Sequence, residues 1–200
     1  MIEEVFDLNE EQEESGTFIV IQLNDKIMPI DRGIQYEDPL FDFLEEKQYG
    51  EVTGGGTMQL KSGEIQYCDI EVLIYEGNDV QRITDEIIHK LEELGAPKGS
   101  HLTIDDSEEP IHFGSKEGLA IYLDGVNLPD HVYAECDSNV VLDELSKRVG
   151  YDGEVQRYWQ GNTETAFYFY GESYEAMKNA ISDFTSTYPL CENARIVQIA

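Results

Sequence analysis

The sequence is poor in basic residues, with 13 Lys and Arg against 42 Asp and Glu, a formal net charge of −29 over 200 residues. A chain this acidic repels the phosphates of nucleic acids and the headgroups of anionic lipids, so we expect it to bind neither nucleic acid nor membranes. A basic protein is the partner that such a charge complements. Hydrophobic residues still make up 40% of the chain, which is enough for a packed core.

Long hydrophobic runs are also lacking, because no stretch approaches the roughly 18 apolar residues that span a bilayer. The chain opens on an acidic segment where a signal peptide would have basic residues followed by an apolar run. We therefore expect a cytoplasmic protein. The three cysteines, Cys68, Cys136 and Cys191, are far apart and form no CxxC pair, which argues against a disulfide framework and a structural zinc site.

Motifs for catalysis and cofactor binding are missing as well. The four histidines form no HxxxH or HxH pair, no serine lies in a GxSxG elbow, and no DxDxDG calcium loop is present. The glycine triplet Gly54–Gly56 has no neighbouring Lys-Ser or Lys-Thr and is flanked by acids, so it predicts a β-bulge or a close backbone approach more than a phosphate cradle. We expect no enzyme activity, no catalytic residue, no metal site and no cofactor.

The chain contains an internal duplication. Residues Ile19–Asn24 followed by Pro29 match Leu119–Asp124 followed by Pro129 at an offset of 100, and later matches keep their order at offsets of 101, 103 and 94. Drifting offsets with preserved order are typical of two copies that differ by loop insertions and deletions. Residues 1–16 then form an acidic N-terminal tail, 17–104 the first repeat, 105–116 a linker and 117–200 the second repeat.

Hydrophobic periodicity predicts the same six elements in each copy, in the order strand, helix, strand, strand, helix, strand. In the first copy the strands fall at 17–24, 50–60, 64–75 and 100–104, and the helices at 38–48 and 80–94. In the second copy the strands fall at 117–124, 153–160, 164–170 and 194–199, and the helices at 138–149 and 173–187. This order predicts an α+β protein of two tandem ferredoxin-like (βαββαβ) repeats, with antiparallel sheets and helices on one face.

Such a two-layer repeat leaves one face of its sheet uncovered, and tyrosines alternate with acids on that face. The face is covered by the other repeat or by a second subunit, which would make a homodimer, or else it binds a partner. A second group of acids follows one side of the first helix. The candidate partner-binding residues are Asp42, Glu45, Glu46, Tyr67, Asp69, Glu71, Tyr75, Tyr122, Tyr158, Tyr168 and Tyr170.

Three segments of the first copy, Gly50–Gly56, Tyr67–Val72 and Leu94–Ser100, resemble stretches of small acidic bacterial proteins that are similar to the immunity proteins of polymorphic toxin systems. The resemblance covers about a third of the chain and implies a bacterial binding protein. The second copy keeps Gly153-Glu154-Val155 but lacks the glycine triplet, and no functional residue is carried over.

Two functions follow from the sequence as expectations. The first is a non-catalytic acidic protein of immunity or inhibitor type that neutralises a basic protein, such as a toxin or nuclease domain. The second is a regulatory module that binds a small molecule where paired repeats meet, by analogy with ACT-like domains.

Overall fold

The computed structural model describes residues 15–105, 107, 109–151, 153 and 155–200. All but the last two residues of the predicted acidic tail lie outside this part of the chain. The strands are β1 Gly16–Leu23, β2 Gly50–Gln59, β3 Ile65–Tyr75, β4 Ser100–Ile104, β5 Ile111–Phe113, β6 Glu117–Asp124, β7 Tyr158–Gln160, β8 Glu164–Gly171 and β9 Arg195–Gln198. The helices are α1 Pro29–Arg32, α2 Asp38–Lys47, α3 Val80–Glu93, α4 Asp130–Glu135, α5 Ser138–Val149 and α6 Tyr174–Thr185, with a π-helical turn at Gly33–Glu37 and a 3-10 turn at Pro189–Cys191.

The first sheet has five antiparallel strands in the order β2-β3-β1-β4-β5. Alternate residues of β3, from Cys68 to Ile74, are fully buried under α2 and α3, as their period of two predicts. Helix α3 begins where the Asp79 carboxylate accepts a hydrogen bond from the backbone N–H of Arg82, a typical N-cap.

The second sheet has four antiparallel strands in the order β7-β8-β6-β9. Its helix-covered face buries Phe167 and Phe169 of β8 in a core with side chains of α5 and α6. Ser173 caps α6 by accepting a hydrogen bond from Ala176, and Gly150 ends α5 in the left-handed conformation, with φ of 71°. The chain is thus an α+β protein with two antiparallel sheets and helices.

The predicted elements are present to within two residues, apart from β7. The prediction placed that strand at 153–160, whereas it covers only Tyr158–Gln160. Val155 does not join the second sheet and packs instead in the core of the first half of the chain, which contains the first sheet. The Arg157 side chain is also buried. The prediction also missed α1, α4 and the π-helical turn, which are too short to show a hydrophobic period. Within the predicted linker, Ile111–Phe113 form β5 at the edge of the first sheet.

Candidate protein-binding face

The face of the first sheet that points away from the helices carries side chains from all five strands, and we call it the open face. These side chains are exposed or half-buried, in alternation with the buried core residues. The five strands contain no Lys or Arg. The open face consists of Phe18, Val20 and Gln22 of β1, Glu51 and Met58 of β2, Tyr67, Asp69, Glu71, Leu73 and Tyr75 of β3, His101 and Thr103 of β4, and His112 of β5.

Asp69 and Glu71 form the acidic centre of the open face. On the neighbouring strand β2 they face Gly56 and Gly54, which have no side chains to cover the carboxylates. Neither carboxylate is hydrogen-bonded or ion-paired to another side chain within the described part of the chain. Burial and then repulsion from Glu71 raise the pKa of Asp69, against the attraction of Arg32 and His101. A cation placed over this pair would relieve that repulsion.

The glycine triplet has a structural role. The register between β2 and β3 shifts between Val52 and Gly54, which is the predicted bulge. Arg32 and Glu37 form an ion pair beside Gly55. A Cβ at Gly55 would lie 2.9 Å from Glu37 Oε1 and 3.1 Å from an Arg32 nitrogen, so the missing side chain leaves room for this ion pair. The Arg32 guanidinium also donates to the carbonyl of Gly56 at 2.5 Å. The triplet therefore supports the edge of the sheet.

The acids of α2 lie elsewhere. Asp42, Glu45 and Glu46 are exposed on the helix layer, and Asp42 and Glu46 do not converge with the acids on the opposite side of the sheet. Glu45 alone reaches the edge of the sheet, where it lines a groove of about 510 Å³ together with Glu51 and Tyr75.

The tyrosines of the second sheet contact the first half of the chain. The hydroxyls of Tyr122 and Tyr168 donate to Glu64 Oε1 at 2.8 and 2.9 Å, and Lys26 Nζ lies 3.0 Å from the same oxygen. Tyr170 accepts a hydrogen bond from the Lys26 backbone N–H at 3.0 Å. Contacts within the chain therefore occupy these three tyrosines, whereas Tyr158 is 51% exposed.

A buried ion pair also joins the two halves. The Arg157 Nε donates to Asp25 Oδ1 at 2.7 Å and an Arg157 terminal nitrogen donates to Asp25 Oδ2 at 2.9 Å, while the Tyr36 hydroxyl donates to Oδ2 at 2.8 Å. Asp25 and Tyr36 are fully buried and Arg157 is 8% exposed. Sequence reasoning missed this pair because the two residues are 132 positions apart and show no local pattern.

Glu64 makes the contact between the halves sensitive to acid. Burial alone would raise its pKa, but hydrogen bonds from Tyr122 and Lys26 outweigh burial and lower it below the usual 4.5. A pKa lowered by folding contributes stability above the unfolded value, and that stability is lost as the pH falls through the folded value.

We therefore expect the free energy of unfolding to decline as the pH falls below about 4.5, and to decline less steeply in Glu64→Gln. Urea unfolding at several pH values measures both slopes. Equal slopes for the two proteins would contradict this role of Glu64.

A small cleft of about 240 Å³ lies beside these contacts, lined by residues of both halves that include Lys26, Trp159 and Tyr168. Nowhere in the described ranges do three or more His, Cys, Asp or Glu side chains converge as a metal site. Of the helices that the structure describes, none has the length and apolar character needed to cross a membrane.

No protein-family model matches this chain, and no curated protein matches it either. Among solved structures, it is similar to an unknown protein from Galdieria sulphuraria at 12% identity and a TM-score of 0.29, over 92% of this chain and 96% of that one. It is also similar to a "putative monooxygenase" from Lactobacillus acidophilus at 14% identity and a TM-score of 0.27, over 93% and 95% of the two chains. Likenesses with TM-scores this low carry no argument about function.

Proposed function

We propose that the protein is a non-catalytic, cytoplasmic binding protein that neutralises a basic protein partner through the open face. The observation that carries the proposal is the pair Asp69 and Glu71, two carboxylates that no side chain hydrogen-bonds or ion-pairs in the described part of the chain, at the centre of a face whose five strands have no Lys or Arg. A toxin or nuclease domain has the required chemistry, because its substrate-binding surface must attract anionic phosphates. The inhibitor would occupy that surface.

Two properties of the open face suit this task. The net charge of −29 accelerates encounter with a basic protein, an effect that weakens as salt is added. Aromatic and apolar side chains then supply area that is buried on binding, and Phe18 and Met58 are 37% and 45% exposed. Carboxylates that become desolvated between such side chains confer specificity for a cationic partner.

The proposal also includes an architecture of two tandem ferredoxin-like repeats. The strand orders β2-β3-β1-β4 and β7-β8-β6-β9 are equivalent, and each sheet has helices on one face, which supports two tandem ferredoxin-like repeats. The second repeat packs its tyrosine-bearing face against the first. The open face of the first repeat is then the one left for a partner.

Charge reversal tests the proposal. We expect Asp69→Lys combined with Glu71→Lys to weaken binding of the basic partner by about 100-fold, because two desolvated attractions become repulsions. The matched control is Asp42→Lys combined with Glu46→Lys, which changes the net charge equally on the helix layer and should weaken binding only a few-fold. The partner is recovered by pull-down from the native host, identified by mass spectrometry, and titrated at low and physiological salt.

Two outcomes would contradict the proposal. If the pull-down recovers no basic protein, the proposed partner does not exist in the host. If the two double variants lose the same amount of affinity, the diffuse charge of the protein, and not the open face, accounts for binding.

The alternative is a regulatory module that binds a small molecule, and the cleft between the halves favours it. This cleft of about 240 Å³ offers the Trp159 and Tyr168 rings and the Lys26 side chain. The pair Asp69 and Glu71 does not line it, so a small-molecule ligand would bind both double variants as it binds the wild type. The same variants therefore distinguish the two functions.

A further inference from the structure

Two histidines stand opposite each other on the open face. His101 of β4 and His112 of β5 are direct cross-strand partners, and their ring centroids are 5.7 Å apart. They are eleven residues apart in sequence, and His112 lies within the segment predicted to be a linker, so no spacing motif connects them. The pairing of β5 with β4 brings them together.

The buried side of the same two strands holds the pair in place. Leu102 follows His101 and Phe113 follows His112, and both side chains are buried in the core under the first sheet. Because side chains alternate along a strand, these two anchors direct both histidines to the open face. The positions of the two imidazoles are thus set by core packing, which reduces the entropy lost when a ligand joins them.

Both imidazoles are available for a ligand. Apart from their contact with each other, neither ring is hydrogen-bonded or ion-paired to any residue that the structure describes. By contrast, His89 lies 3.2 Å from Glu93 in an ion pair on α3. The acids of the open face favour cations over this part of the sheet, and Asp69 interacts electrostatically with His101.

We propose that His101 and His112 form a binding site for a borderline divalent metal ion such as Zn²⁺. With Zn–N bonds of about 2.0–2.1 Å, each ring centroid lies about 3 Å from the metal, so two imidazoles at a tetrahedral angle have centroids about 5 Å apart. The observed 5.7 Å requires only a small rotation of the side chains. No third protein ligand converges within the described ranges, so water completes the coordination.

The ligand type separates this site from diffuse binding of cations to the acidic surface. Imidazole nitrogen favours Zn²⁺, Cu²⁺ and Ni²⁺, whereas carboxylates favour Mg²⁺ and Ca²⁺. The inference is independent of the proposed function, because it concerns the β4–β5 edge of the sheet and needs no partner protein.

The test is titration of the full chain with Zn²⁺ by calorimetry, in physiological salt with millimolar Ca²⁺ present to saturate diffuse sites. The background carries Cys136→Ser, which removes the thiol that is not fully buried. We expect one zinc ion per chain, and a loss of affinity of about tenfold or more in His101→Asn and in His112→Asn, since each removes half of a chelate. His89→Asn and His131→Asn are the matched controls and should bind as the background does.

Zinc binding that is unchanged in both pair variants, or that Ca²⁺ abolishes in the background protein, would overturn the proposal. Thermal unfolding of each variant without zinc checks that the sheet is intact. The NMR resonances of the two imidazoles give a second measurement, because in the background protein zinc should shift both of them and leave His131 unchanged.

Discussion

Replacing Arg157 with methionine should lower the free energy of unfolding by about 3–5 kcal/mol, because it leaves the Asp25 carboxylate buried without its counter-ion. Asp25 is fully buried and accepts two hydrogen bonds from Arg157. Tyr36 would remain as a donor, but a single neutral hydroxyl cannot replace a guanidinium. Urea unfolding followed by circular dichroism measures the loss.

Two further variants serve as controls for the Arg157→Met measurement. The double variant Asp25→Leu with Arg157→Met removes both charges and should recover much of the loss, as a double-mutant cycle would show. Lys147→Met breaks the pair with Glu144 on α5, where the lysine side chain is 70% exposed, and should cost less than about 1 kcal/mol. A cost for Arg157→Met no larger than that of Lys147→Met would show that the ion pair does not join the halves.

Gly114→Ala should be the second most damaging substitution, with a cost of about 3–4 kcal/mol from backbone strain and overpacking together. Gly114 follows β5 with φ of +102°, and a Cβ there would lie 1.9 Å from the carbonyl oxygen of Pro97. Backbone atoms block that position, so no side-chain rotation can relieve the clash. Because β5 must then shift, zinc binding by His101 and His112 should weaken in the same variant.

Gly77→Ala is the matched control for the backbone strain. Gly77 also has a positive φ, of +89°, but no atom lies within 4 Å of a Cβ built there. Its cost should therefore be about 1 kcal/mol, from the left-handed conformation alone. Thermal or urea unfolding of the two variants separates the clash from the strain, and equal costs would contradict the proposed role of Gly114 in holding β5.

Local periodicity was sufficient to predict most elements of this fold. The alternation from Cys68 to Ile74 requires a sheet with one covered face, and the spacing from Val80 to Leu91 behind the Asp79 cap requires a helix with one buried side. Both patterns depend on neighbours within a few residues, which a sequence displays directly.

The contacts between the halves could not be predicted in this way. Tyr168 and Tyr170 show the correct outward period, but the period does not reveal whether another part of the chain or a partner covers them. Their cover comes from Glu64 and from the backbone around Lys26, more than 100 residues earlier. A three-residue strand such as β5 likewise has too few residues to show a period, so the sequence does not indicate that His101 and His112 are cross-strand partners.

The asymmetry between the two sheets has a consequence for stoichiometry. The chain has two antiparallel sheets, but Tyr122, Tyr168 and Tyr170 use the outer face of the second one to contact the first half of the chain. If the protein binds its partner through the open face as proposed, it has one such face and would be monovalent. A partner bound at the open face would form a one-to-one complex, without the avidity that two free copies would provide.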